Sequence, residues 1–432
     1  MKVKGMRWWI VCLLSGGLVI NYLARNTLSV AAPTMMTQLD ISTEQYSHIV
    51  IAWQMAYAFM QPVAGYVIDA IGTKMGLAIF ALAWSAMCAA AALATGWQSL
   101  AFLRGLLGFT EAAGYPAGVK VVTEWFPAKE RSVAIGWFNI GSSLGALLAP
   151  PLVVWSILNS GWQLAFIVVG VLGGLWTLLW IWLYKRPHQS SISDAERAYI
   201  LEGQEAHFSD AVAEKANWKK TITKRNFFAV GLARVLSEPA WQTFNAWIPL
   251  FLMTERHMNI KEIAMFAWLP FLAADLGSVL GGYLSPIFHR YLKVSLFTSR
   301  KLVMLTGSLC MIGPACVGLV SSPYAAIALL CAGGFAHQML SGALYSITSD
   351  SFGKNEVATA TGLAGMFGFL GAALFTLVFG IMVTRIGYSP LFVVLAIFDI
   401  VAACVILTVA REATRPAAST IEPKGTSPEA AV

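Results

Sequence analysis

The sequence predicts an all-α integral membrane protein with twelve transmembrane helices in two six-helix halves and both termini cytoplasmic. Three observations predict it. The first is composition. The 432 residues are 57% hydrophobic and only 12% charged, against about 25% charged in soluble proteins. The apolar residues fall into twelve blocks of roughly 20 residues or more, the length that crosses a bilayer core. The second is one long polar segment, 185–226, with six blocks on either side. The third is the placement of the 29 Lys and Arg residues. With the termini inside, only Arg256, Lys261 and Arg385 lie in loops on the far side. Four more (Arg25, Arg104, Lys120, Arg234) lie within spans, and the remaining 22 are cytoplasmic. That asymmetry is the positive-inside rule, and it fixes orientation.

The predicted spans, numbered 1 to 12, are 7–32, 45–68, 76–95, 99–121, 132–158, 162–184, 227–253, 263–286, 302–320, 323–347, 359–384 and 390–409. Spans 7 and 8 carry polar residues and should score lower in a hydropathy scan. Span 1 is too long for a signal-peptide core and ends in Arg-Asn-Thr, so it reads as a retained helix. The domain plan is an N-terminal half at 1–186, a cytoplasmic linker at 187–226, a C-terminal half at 227–411 and a disordered cytoplasmic tail at 412–432. Within the linker, a Ser-x-x-Asp/Glu start predicts a capped amphipathic helix. The tail is rich in Ala, Pro, Thr and Glu, a composition that does not build a core. The net charge of +7 follows from topology and requires no nucleic acid. The six cysteines show no metal-ligand spacing and read as small buried hydrophobes. No phosphate-binding loop, metal constellation or nucleophile elbow is present, so catalytic, cofactor and metal sites are all expected to be absent and the protein is not expected to be an enzyme.

Charges inside membrane spans point to function. Arg25 sits in the apolar run of span 1, and its planar fork suits a carboxylate or phosphate. Tyr22 shares its helical face. On span 4, Arg104, Gly108, Glu111 and Tyr115 fall on one face. Glu111 is an acid at mid-membrane, where the anion is poorly solvated and proton uptake is favoured. That is the property a proton-driven carrier requires. Span 2 offers Tyr57, and span 5 offers Asn139 and Ser142; for these, interhelical hydrogen bonds compete with substrate contact. Span 7 carries Arg234, Glu238, Trp241, Gln242 and Asn245. Arg234 and Glu238 can pair at i,i+4, Gln242 and Asn245 suit sugar hydroxyls, and Trp241 suits the apolar face of a sugar ring. Pro239 should kink the span. Span 10 adds His337, Gln338 and Ser341. Asp275 and Asp399 are expected to serve as interhelical hydrogen-bond partners, Lys120 to snorkel to the cytoplasmic surface, and Gln61-Pro62 to be structural.

Six spans plus six, joined by a cytoplasmic linker, resemble the plan of the major facilitator superfamily, in which substrate binds between the halves near the midplane. GYVIDAIGTKMG (65–76) resembles its loop motif, which implies that Asp69 and Lys74 gate the cytoplasmic face. RGLLG (104–108) resembles its span-4 arginine motif. The strings NYLARNTLSVAAP, QPVAGYVIDAIGTK, EAAGYPAG, EWFPAKERS, NIGSSLGALLAPPLVVW, SEPAWQTFNAWIPLF, KEIAMFAWLP, GGFAHQMLSGAL and FGKNEVATATGL are similar to bacterial hexuronate transporters of the anion:cation symporter family, from residue 4 to about 411. The resemblance implies import of D-glucuronate and D-galacturonate with protons across the inner membrane, with Glu111 as proton site. The implied partners are a sugar-acid anion, protons and the bilayer, for a chain acting as a monomer. In galactonate-type relatives an acid precedes the span-1 arginine; here that position is Ala24. One proton per substrate is then the simplest count, with Glu238 as candidate for a second. Another sugar acid, an aldonate or glucarate, is the alternative substrate. A membrane sensor would need a signalling domain, for which linker and tail are too short.

Overall fold

A computed structural model describes residues 5–190, 192–201, 217–258, 262, 266, 268–353 and 355–412. It is helical throughout, with no strand among the described residues. The spans are Met6–Gln38, Thr43–Ile71, Thr73–Ala90, the pair Trp97–Glu111 and Gly114–Trp125, Arg131–Ser160 and Trp162–Leu183 in the first half. In the second they are Arg225–Thr254, Leu269–Tyr291, Leu296–Cys310, Pro323–Ser351, Val357–Ile386 and Ser389–Val409. The sequence-predicted start of span 8, at 263–265, and the tail beyond residue 412 lie outside the described residues.

Nine helices among the described residues are long and apolar enough to cross a membrane by composition alone. Spans 2, 4 and 7 are missing from that set, and span 8 is the least hydropathic within it. The reason for span 4 is a break. Ala112 and Ala113 form a turn immediately after Glu111. Pro116 has no N–H to give to the carbonyl of Ala112, so the ladder is interrupted there. Span 7 differs: the helix Arg225–Thr254 runs continuously through Pro239.

Packing repeats between the halves. Span 1 packs on span 5, span 2 on span 4, and span 3 on span 6; likewise 7 packs on 11, 8 on 10, and 9 on 12. The outer surface is apolar, as lipid contact requires: Leu158, Leu178, Trp182 and Leu319 are each more than 60% exposed. Of the six cysteines only Cys88 is buried, while Cys12, Cys310 and Cys404 are exposed. The expectation of buried cysteines therefore fails, because in a membrane an apolar thiol is equally at home on the outside.

Two seams join the halves, span 2 on span 11 and span 5 on span 8. Both depend on close backbone approach. A Cβ on Gly65 would collide with the Ala358 carbonyl, and one on Gly136 would press on the carbonyl of Ser278. At the end of the molecule carrying the termini, polar contacts reinforce the seams. Arg131 Nη1 is 3.2 Å from Asp350 Oδ1, and Arg300 also pairs with Asp350. Thr123 Oγ1 lies 2.8 Å from Ser349 Oγ.

The loop between spans 2 and 3 turns at Gly72, whose φ of +90° favours glycine. Asp69, just before it, receives hydrogen bonds from the Thr359 N–H and hydroxyl, both at 2.7 Å, near the start of span 11. A carboxylate there also meets the positive end of that helix. Its ion-pair partner is Lys120 at 2.8 Å, not Lys74. Lys120 is 2% exposed, so it does not snorkel. Lys74 makes no ion pair among the described residues, although its backbone carbonyl accepts from Trp180 Nε1 at 3.1 Å.

The linker's first described helix, Asp194–Leu201, begins with Ser193 Oγ accepting from the Glu196 N–H at 3.2 Å. It docks on the first half: buried Glu196 accepts from Met6 N at 2.9 Å, and Tyr199 donates to Glu130 at 2.7 Å.

Candidate substrate cavity

The two halves enclose a cavity of about 200 Å³. Tyr115 of span 4 and Tyr345 of span 10 stack across the halves with ring centroids 5.1 Å apart, and Tyr57 meets Phe369 at 4.9 Å. All four rings line the cavity.

On the first half, Tyr22, Arg25, Tyr57 and Ser142 line the wall, joined by Asn26, Trp53, Gln61, Tyr115 and Ser143. Arg25 does not snorkel. Its guanidinium carbon lies 4.4, 4.6 and 4.8 Å from the rings of Tyr22, Trp53 and Tyr57, a cage of cation–π contacts. Its Nε and Nη2 atoms, the side-on edge of the fork, have no hydrogen-bond partner. Nε stands 3.8 Å from Glu111 Oε2, an ion pair without a formed hydrogen bond.

Glu111 is fully buried behind this wall. Its Oε2 accepts from Trp53 Nε1 at 2.8 Å, while Oε1 has no partner. The break in span 4 places this acid at a helix end. Arg104 stands off the cavity. It donates to the backbone carbonyls of Ala24 and Arg25, each at 3.3 Å, and so holds span 1 where Arg25 projects. Asn139 is also outside the wall, donating to Ser278 Oγ at 3.1 Å across the span 5–8 seam. Ser142 gives its hydroxyl to the Asn139 carbonyl at 2.7 Å.

On the second half, Arg234, Glu238, Trp241, Gln242, Asn245, His337, Gln338 and Ser341 all line the cavity, with Phe271 and Tyr345. Arg234 Nη1 is 3.3 Å from Glu238 Oε2 and 3.4 Å from Ser341 Oγ, and its guanidinium covers the Tyr345 ring at 3.8 Å. Gln242 donates to Glu238 at 3.3 Å, and Asn245 to the Trp241 carbonyl at 2.8 Å. Trp241 lies parallel to His337 with centroids 6.0 Å apart. Asp399 pairs with His337, and Asp275 accepts from Ser143 across the halves. The sequence reading missed Asn26, Trp53, Ser143, Phe271 and Tyr345 and gave Gln61 a purely structural place. Gln61 does pack on span 11, against Gly362 and Gly365, but it also faces the cavity. Its position four residues from Tyr57 was a usable signal.

Residues 14–299 and 294–431 match the profile of the Major Facilitator Superfamily. The chain belongs to the major facilitator superfamily. Within this superfamily, the chain is 54% identical over 409 residues to the hexuronate transporter of Escherichia coli K12, covering 94% of this chain and 95% of that one. It is 53% identical over 328 residues to the galacturonate transporter of Dickeya chrysanthemi, covering 76% and 95%. The D-galactonate transporter of Escherichia coli O6:H1 is more distant, at 27% over 89% of this chain and 91% of that one. Among solved structures, the proton:xylose symporter XylE bound to 6-bromo-6-deoxy-D-glucose superposes with a TM-score of 0.72 at 13% identity, covering 95% and 97%. That likeness establishes the shared twelve-helix fold. This major facilitator is a multi-pass membrane transporter rather than an enzyme.

Proposed function

We propose that this protein is a proton-coupled symporter that imports hexuronates, D-glucuronate and D-galacturonate, across the bacterial inner membrane by alternating access. The observation that carries the reading is Arg25 at the wall of the inter-half cavity, its buried Nε and Nη2 without a hydrogen-bond partner and Glu111 buried beside it. The names of the relatives at 54% and 53% identity support the substrate class.

The chemistry follows from charge. An ionised Glu111 draws on the positive charge of Arg25. A proton on Glu111 removes that competition, and the Arg25 guanidinium is then free for the sugar carboxylate. With proton and anion both bound, Glu111 is uncharged and Arg25 and the substrate carboxylate balance each other, which lowers the cost of closing the cavity around them. On the second half, Gln242, Asn245 and Gln338 meet hydroxyls, and Trp241 meets the ring.

Uptake of labelled glucuronate into proteoliposomes under an inward proton gradient tests this. Unlabelled glucuronate and galacturonate should compete, and glucose should not. Competition by glucarate or an aldonate alone would assign a different sugar acid. Binding without uptake would make the protein a sensor.

Two further outcomes follow. Losing one buried hydrogen-bond partner costs about 1–3 kcal/mol, or roughly 5- to 150-fold in affinity. Gln242→Ala and Asn245→Ala should weaken hexuronate binding on that scale without admitting glucose; unchanged apparent affinity in both would move the hydroxyl site elsewhere. Asp69→Asn removes the carboxylate that neutralises buried Lys120 and holds span 11. It should open the terminus-side seam, lengthening the distance between spin labels at Met75 and Asn355. An unaltered distance distribution would remove Asp69 from the gate.

A further inference from the structure

Behind the second-half wall, His337 Nδ1 and Asp399 Oδ2 are 3.2 Å apart. Asp399 is fully buried on span 12, and its Oδ1 has no hydrogen-bond partner. His337 lines the cavity, so the pair joins cavity water to a carboxylate sealed in the helix bundle.

The surroundings decide its charge. On span 7, Arg234 and Glu238 are already paired with each other, and it is the like charge of Glu238 that reaches Asp399. Span 11 carries no acid, base or histidine from Val357 to Thr384. Span 9 has Arg300 and Lys301 near its terminus-side end. There Arg300 binds Asp350, and Lys301 binds the last carbonyls of span 12. On span 8, Asp275 accepts from Ser143. His337 is therefore the group that can balance Asp399. A neutral imidazole beside an ionised carboxylate would leave a bare buried anion with one oxygen unsatisfied, which is strongly disfavoured. One proton held by the pair as a unit removes that charge.

We propose that the His337–Asp399 pair is a second proton-binding site of the transport cycle. This rests on the proton-coupled reading given above. The proton enters from cavity water through the His337 ring on one side of the membrane and returns to water when the cavity faces the other. Glu238, tied to Arg234 and Gln242, is not needed for it. One proton on Glu111 and one on the pair, carried with a singly charged hexuronate, move one net positive charge per cycle.

Transport should then respond to voltage. One charge across ~100 mV corresponds to about 50-fold accumulation. Proteoliposomes with a potassium–valinomycin potential, negative inside, and no pH gradient should concentrate labelled glucuronate to about that extent. Asp399→Asn should abolish this accumulation while a pH gradient still drives uptake. Wild-type protein that ignores the potential but follows a pH gradient overturns the second site and leaves proton coupling intact, whether or not the variant folds. An Asp399→Asn protein that still follows the potential also overturns it. Wild-type protein driven by neither force refutes the coupled reading itself.

Discussion

Replacing Arg25 by lysine is expected to lower hexuronate uptake by about 30- to 150-fold, although the charge is kept. The cage of Tyr22, Trp53 and Tyr57 would hold an ammonium as it holds the guanidinium. What lysine lacks is the planar fork that offers two N–H groups together to one carboxylate. Losing that charge-assisted fork is worth about 2–3 kcal/mol, which is the fold-change stated. Arg25→Ala removes the charge as well, leaves buried Glu111 without its ion-pair partner, and should abolish uptake. Initial rates across a glucuronate concentration series check both. Near wild-type uptake by either variant would dismiss Arg25 as the carboxylate anchor.

Glu111→Gln is expected to cut uphill accumulation under a pH gradient to what one proton at the His337–Asp399 pair can drive, and to spare exchange. Glutamine keeps an oxygen to accept the Trp53 Nε1 hydrogen bond now made to Glu111 at 2.8 Å, and its amide mimics the protonated acid. Arg25 is then permanently free for substrate, and binding no longer senses pH through this residue. A pH step of one unit is worth about 1.4 kcal/mol per proton, so wild-type vesicles should concentrate substrate at least ~10-fold. The variant should fall about 10-fold short of wild type for each pH unit imposed, while still exchanging labelled for unlabelled glucuronate at a substantial rate. Accumulation by Glu111→Gln equal to that of wild type under the same pH gradient would remove Glu111 as a proton site.

The cavity was legible in the sequence to the extent that polar residues in apolar spans cannot face lipid. Tyr22 and Arg25 on span 1, the polar set of span 7, and His337, Gln338 and Ser341 on span 10 announced themselves by that cost. The reading faltered where a residue's partner lies on a distant span. Arg104 and Asn139 are as polar as their neighbours, yet they are consumed by the Ala24 and Arg25 carbonyls and by Ser278. Lys120 was expected to snorkel because nothing local marks Asp69, 51 residues earlier, as its partner. Aromatic residues such as Trp53, Phe271 and Tyr345 carry no signal of their own, since a ring is equally suited to core, lipid or cavity.

The sequence by itself determined the membrane class, the count of spans, their division into six and six, and the presence of an arginine and an acid at membrane depth. Hydrophobic length, loop charge and the cost of burying ions are properties of short segments, so they can be read without coordinates. Only the tertiary structure decided that span 4 breaks directly after Glu111 while span 7 runs through its proline. It also showed that Asp69 bridges Lys120 and span 11, and that His337 rests on Asp399, 62 residues further along the chain. Each of these depends on which helix stands opposite, and that is settled by the packing of spans far apart in sequence.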